Sequence, residues 1–239
     1  TEVNGERASV DSEHPAFRDP AVREAMALLV DREAISEFIY GRSGDATGNF
    51  IVAPERYVSP NTHWEFNIER ANQILDEAGW VRGSDGVRAK DGVRLSLVFS
   101  TTTSGQRQRT QQVVKQGCDN VGIDVELKAV SASVFFSSDP GNPDTFGHFY
   151  SDMQMYTSPM REPDPGLFMQ QFLSSEVAAR ANNWLSRNVT RFRNAEFDDL
   201  YAASTSEMDP VRRAAMFIRM NDVVVNENVV IPLIFRKVA

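Results

Sequence analysis

Residues 94–129 constrain the fold more than any other stretch. "RLSLVFS" alternates as a strand does, "TTTSGQ" makes a loop, and "RQRTQQVVKQGCDNV" carries a helical stripe of Val114, Gly117, Cys118 and Val121. Gly122 stops that helix, and "IDVELKAV" sets Ile123, Val125 and Leu127 on one side of a second strand. Strand, helix and strand at this spacing form a βαβ crossover, which makes the two strands parallel. The chain is therefore expected to be an α/β protein, with a mixed sheet and flanking helices.

The neighbouring segments supply those helices. "RDPAVREAMALLVDREAISEFIYG" is predicted to be one helix capped by Asp19, with Pro20 in its first turn and Gly41 or Gly44 ending it. Val22, Ala25, Met26, Leu29 and Val30 form its buried stripe. "FNIERANQILDEAGW" is a second helix, capped by Asn67 and closed by Gly79. Asp91-Gly92 is a type I′ turn pair for a hairpin. "FYSDMQMYT" has the pattern of a further strand. Residues 168–208 show weak helical periodicity. "DPVRRAAMFIRMNDVVVNE" is a clear helix, with Val211, Ala215 and Ile218 expected to face the core. "NVVIPLIF" is the last strand, with Pro232 at an edge or where the strand leaves the sheet. No repeat or low-complexity segment interrupts the pattern, so residues 1–239 are expected to form a single α/β domain.

Composition excludes some functions. The net charge of −8 is spread along the chain and argues against a nucleic-acid partner, which needs a basic face. No apolar run approaches the roughly 18 residues of a membrane span. Cys118 is the only cysteine, leaving neither a disulfide framework nor a cysteine cluster for zinc. It lies on the helical stripe and is expected to be a small core hydrophobe. His14, His63 and His148 have no helical metal-pair spacing, so neither a metal nor a cofactor is called for. His148 is expected at the surface or a strand end. The chain starts without Met and stops soon after an apolar strand, as an excised piece of a longer polypeptide would.

Two chemistries compete for "MYTSPMREPDPGLFM", residues 155–169. Glu162 and Asp164 could be the acid pair of a glycoside hydrolase. Acids beside prolines also occur in plain turns. In open α/β sheets, ligands bind beyond the carboxyl ends of the strands. "STTTSGQ" follows one strand and "YTSPMREP" follows another. If those strands are parallel neighbours, one rim carries Thr101, Thr102, Thr103, Thr157 and Ser158, with an aromatic at Tyr156 and a cation at Arg161. The bland reading is that these hydroxyls cap a helix and satisfy turns.

The order of motifs adds a resemblance. "HPAFRDPAVREAMALLVDREAI", "YGRSGDAT" with a proline-bearing loop, "ERANQILDEAGW", "DGVRLSLVF", "VGIDVELKAV", "EPDPGLF" and "DPVRRAAMFIRMNDVVVNENVVIPLIF" occur in the order seen in the family 5 extracellular solute-binding proteins. These are the dipeptide, oligopeptide and nickel binding proteins of bacterial ABC importers, and the resemblance covers nearly the whole chain. It implies lobe II of a type II (cluster C) periplasmic binding protein, with lobe I and the signal segment outside this sequence. The partners it implies are a peptide or small-molecule ligand, ABC permease subunits of the inner membrane and lobe I of the same chain. The location would be periplasmic, or extracellular and lipid-anchored.

In that family the loop before the Asp-Pro motif lines the cleft, and peptide binders place there an aspartate that meets the peptide amine. Aligned on Asp164-Pro165, that place falls near Arg161, and no Asp lies between Tyr156 and Glu162. Tyr156 stands where a tryptophan is usual. Arg161 would favour a carboxylate or another anion. Asn49, on the proline-bearing loop, joins the expected ligand contacts. No catalysis is implied.

Overall fold

The computed structural model describes residues 2–237. They divide into two compact units where the sequence pattern led us to expect a single domain. The first unit comprises Trp64–Tyr156 with the described parts of Thr1–Ala46 and Leu233–Ala239; the second comprises Thr47–His63 and Thr157–Pro232.

The first unit is organised by a three-stranded parallel sheet. Ser96–Thr102 lies in its centre, with Asp124–Val130 on one side and Met153–Met155 on the other. The helix Gly105–Val121 makes the crossover, and Gly122 ends it in the left-handed conformation at φ 81°. Val114, Gly117, Cys118 and Val121 are all buried, as the stripe predicts. Burial pushes the Cys118 thiol up to about 12, so it stays protonated and packs as a hydrophobe. Gln111 pins this helix to the sheet, donating from Nε2 to the Phe99 carbonyl at 2.8 Å. At Gly117 the helix meets Leu29 so closely that a Cβ would lie 2.3 Å from the Leu29 carbonyl oxygen. Only glycine allows that approach.

Several details depart from the sequence reading. The first strand runs to Thr102, so Thr101 and Thr102 belong to the sheet and not to the following loop. The last parallel strand keeps only three residues, Met153–Met155. The long N-terminal helix is interrupted. Pro20–Leu28 ends at Leu29, and Asp31 caps a new start by accepting from Ala34 N at 2.9 Å. A wide-turn segment, Ile35–Tyr40, follows and ends at Gly41. The capping tendency of Asp31 outweighs continued apolar periodicity there. Ile234–Arg236 begins after Pro232 and pairs antiparallel with Gly44–Ala46, apart from the parallel sheet.

Other local signals hold. Asp19 accepts from Ala21 N, and Asn67 from Arg70 N. Asp91 and Gly92 have positive φ in the hairpin linking Arg88–Lys90 to Val93–Arg94. His148 does not lie at the surface. It is buried, and its Nδ1 sits 2.7 Å from Thr145 Oγ1.

The second unit contains two sizeable helices, Ala195–Ser204 and Pro210–Asn226, around Ile51, Tyr57, Met169, Phe172, Phe197, Phe217 and Met220. The buried residues of Pro210–Asn226 are Ala214, Phe217 and then every residue from Met220 to Val225. Val211 and Ala215 are exposed, and Ile218 is only partly buried. Both stripes satisfy helical spacing. The larger Phe217 gains more by burial and takes the core. Residues 170–194 are short 3₁₀ turns and irregular chain, not a weak helix.

Candidate functional site

In the first unit, three parallel strands end together. Thr101 pairs with Ala129 on one side and Met155 on the other, so Thr103, Ser131 and Tyr156 follow the strands on one rim. This confirms the parallel arrangement on which the rim expectation depended.

The hydroxyls there are not equivalent. Thr101 is fully buried and donates to the Met155 carbonyl at 2.6 Å, which ties two strands together. Thr102 is buried, and its Oγ1 accepts from Arg107 Nη1 at 2.6 Å. Thr103 is exposed. Its backbone N–H is used by the Val130 carbonyl at 2.9 Å. Ser104 precedes the first turn of Gly105–Val121 without a side-chain capping bond, so the N–H groups of that turn are not closed by its hydroxyl. Ser131 caps the short turn Ala132–Phe135 by accepting from Val134 N.

Tyr156 belongs to an aromatic cluster with Phe135, Phe136 and Phe146. Its ring centroid lies 6.1, 6.3 and 5.8 Å from theirs. These rings shield the phenol, and desolvation pushes it up to about 12. It therefore stays neutral, a hydroxyl on an apolar body. Sequence reasoning named Tyr156 but not its neighbours. The run of Phe135, Phe136 and Phe146 was the available signal.

Behind the rim, His14 and Asp152 form a strut. His14 Nδ1 accepts from Ala16 N and Phe17 N, which leaves Nε2–H to donate to Asp152 Oδ1 at 2.8 Å. Asp152 Oδ2 accepts from Val98 N at 2.6 Å. Burial alone would raise the Asp152 carboxyl, but these bonds outweigh it and hold it below its ordinary value. This pair positions the chain entering Met153–Met155.

The second unit holds the remaining predicted residues. Thr157 and Arg161 are exposed, and Ser158 Oγ donates to Gln171 Oε1 at 3.3 Å. Asn49 turns out to be a structural hub. Its Oδ1 accepts from Thr62 Oγ1 and Asn221 Nδ2, each at 2.7 Å, and its Nδ2 donates to the Ser59 carbonyl at 3.0 Å. Asn221 in turn accepts from Phe50 N and Ile51 N. The loop carrying Asn49 is thus fastened to the helix Pro210–Asn226.

Asp164, one of the two acids, finds a different use. It is gripped by both terminal guanidinium nitrogens of Arg213, Nη1 and Nη2, and accepts from Gly166 N at 2.8 Å. The Arg213 bonds hold its carboxyl below the ordinary range. A glycosidase general acid needs the reverse shift. Asp164 is a turn-forming anchor, and the hydrolase alternative has no support in this geometry.

The comparisons with known proteins agree with the fold. The family described as "Bacterial extracellular solute-binding proteins, family 5 Middle" matches residues 2–179. The oligopeptide-binding protein AppA of Bacillus subtilis is 29% identical over 203 residues, covering 81% of this chain and 34% of AppA. Protein XP55 of Streptomyces lividans is 27% identical over 199 residues, 83% of this chain and 34% of XP55. Among solved structures, the oligopeptide-binding protein from Thermus thermophilus, complexed with a pentapeptide, superposes with a TM-score of 0.78 at 25% identity. That match covers 92% of this chain and 38% of the other. The chain thus spans about a third of the length of these relatives.

Proposed function

This chain belongs to the bacterial extracellular solute-binding proteins of family 5, and from that premise we propose that it is the ligand-binding lobe II of the substrate-binding component of an ABC importer. The observation that carries the reading is the family match over residues 2–179. A rim of three parallel strands, the usual ligand position of an α/β sheet, supports it. Two of the named relatives, AppA and the Thermus thermophilus protein, are oligopeptide-binding proteins. The solute here is a peptide or a related small molecule, bound without catalysis outside the cytoplasmic membrane. Residues 1–239 form one lobe of a larger two-lobe protein, and closure of the lobes signals to the permease.

Of the residues named from sequence, Thr103 and Tyr156 are the ligand-contact candidates of the first unit in this reading, and Thr157, Ser158 and Arg161 those of the second. Thr101 and Thr102 are buried in their strand and Asn49 has both amide atoms engaged, so these three hold the framework. Arg161 stands near the place where peptide binders carry an aspartate, so the ligand presents a carboxylate or another anionic group there.

A thermal-shift screen of the full-length protein against short peptides, oligosaccharides and anionic metabolites tests this. A concentration-dependent rise in Tm identifies the ligand class. Arg161→Ala should then weaken that ligand by about 1.5–3 kcal/mol, the range for a hydrogen bond to a charged group. Unchanged affinity removes Arg161 from the site. Absence of any stabilising ligand would count against the importer reading.

A further inference from the structure

A second surface feature lies in the other unit and is independent of the rim. From Val177 to Ala195 the sequence holds no Asp or Glu but carries Arg180, Arg187, Arg191 and Arg193, in a chain whose net charge is −8. The structure closes part of this stretch into a compact loop. Val177 and Asn188 pair at its base, where Ala178 N donates to the Asn188 carbonyl at 3.0 Å and Asn188 N to the Glu176 carbonyl at 2.8 Å. Asn182 fastens the interior, donating to the Val177 carbonyl and accepting from Ala179 N. Asn188 is fully buried and donates to the Leu173 and Phe192 carbonyls. Asn183 and Trp184 both hold positive φ at the turn. Compact loops with adjacent ends and strained turns are frequent carriers of function.

What this scaffold displays is consistent along its length. Arg180, Arg187 and Arg193 are exposed, and among the described residues none of the three has a carboxylate in ion-pair range. Arg187 and Arg193 make only long bonds of 3.4 Å to backbone carbonyls. Leu185, between Arg180 and Arg187, is 59% exposed. We propose that this loop docks on an anionic phospholipid surface, with Leu185 entering the interface and Arg180 and Arg187 meeting headgroup phosphates. A protein partner normally calls for a broad face with aromatic anchors. This loop offers one aliphatic side chain in a basic setting, which suits a fluid surface that needs only charge and a small apolar insertion.

The test is sedimentation of the protein with vesicles of phosphatidylglycerol and phosphatidylcholine, and with vesicles of phosphatidylcholine alone. Salt-sensitive binding to the anionic vesicles only is expected. Arg180→Gln with Arg187→Gln should lower the partition coefficient roughly 30-fold, from about 1 kcal/mol per basic residue near an anionic surface. Arg109→Gln with Arg212→Gln, which removes two exposed arginines elsewhere, should leave it within about two-fold, because those sites lie off the docking loop. Leu185→Ser should weaken binding by roughly ten-fold or more through lost burial. Unchanged melting temperatures establish that the variants are folded. No binding to anionic vesicles, or an equal loss in both double variants, overturns the proposal. Full competition by soluble polyglutamate would overturn the lipid assignment and make the loop a site for acidic peptides. No effect of Leu185→Ser would overturn insertion.

Discussion

The two units are stabilised by different means. In the first, backbone ladders and apolar faces dominate. Three parallel strands share a register, and a seventeen-residue helix covers them with Val114, Cys118 and Val121. In the second, regular structure is sparse, and asparagine side chains replace ladders. Asn49, Asn188 and Asn221 each satisfy backbone groups of distant segments. A ladder repeats, so losing one bond leaves its neighbours in place. A buried asparagine is a single fastening, and its removal strands several polar groups at once.

Four measurements test this contrast. The largest effect is expected for Phe217→Ala, which empties the middle of the second unit's core; denaturant unfolding should show a loss of about 3–5 kcal/mol. Next is a paired test. Asn221→Ala leaves the Phe50 and Ile51 N–H groups without an acceptor and should cost about 2–4 kcal/mol, whereas Gln111→Ala in the first unit should cost only about 1 kcal/mol. Equal costs would abolish the distinction between the two units.

The third measurement is acid unfolding. Asp152 in the first unit and Asp164 in the second are both held below their ordinary values. A depressed carboxylate contributes stability that is fully present above its unfolded value near pH 4 and is lost as pH falls through the folded value. Asp152→Asn and Asp164→Asn should each lower stability at neutral pH and flatten the acid limb. The flattening should be larger for Asp152, because Asp164 is more exposed and more screened. The smallest effect belongs to Val211→Ser, within about 0.5 kcal/mol, since Val211 is 76% exposed on the outer face of its helix. A large loss there would restore the helix face inferred from sequence.

The same contrast explains what could be read from the chain. The crossover, the Gly122 stop, the caps at Asp19 and Asn67 and the Asp91-Gly92 turn are local, and each is fixed by residues a few positions apart. The rim followed from them. The functions of Asn49 and Asn221 were hidden because Asn221 meets Asn49 and Phe50 across 172 and 171 positions of sequence. His148 was misplaced for a related reason: its burial depends on how the segment after Asp124–Val130 folds back. The interruption at Asp31 was locally encoded, but it was masked by apolar spacing that continues through it. Asp164 has the sequence setting of an acid candidate, and its partner Arg213 lies 49 positions away.

Gly117 has a consequence for heredity as well as for packing. With a Cβ only 2.3 Å from the Leu29 oxygen, even alanine would force the helix Gly105–Val121 away from the chain at Leu29. Overpacking of this kind costs about 1–3 kcal/mol, and each kcal/mol lowers Tm by roughly 2–4 °C in a chain of this size. A single added methyl group would leave a protein that folds in the cold and fails in the warmth. The codon for Gly117 is therefore a place where a screen for temperature-sensitive alleles should find a hit.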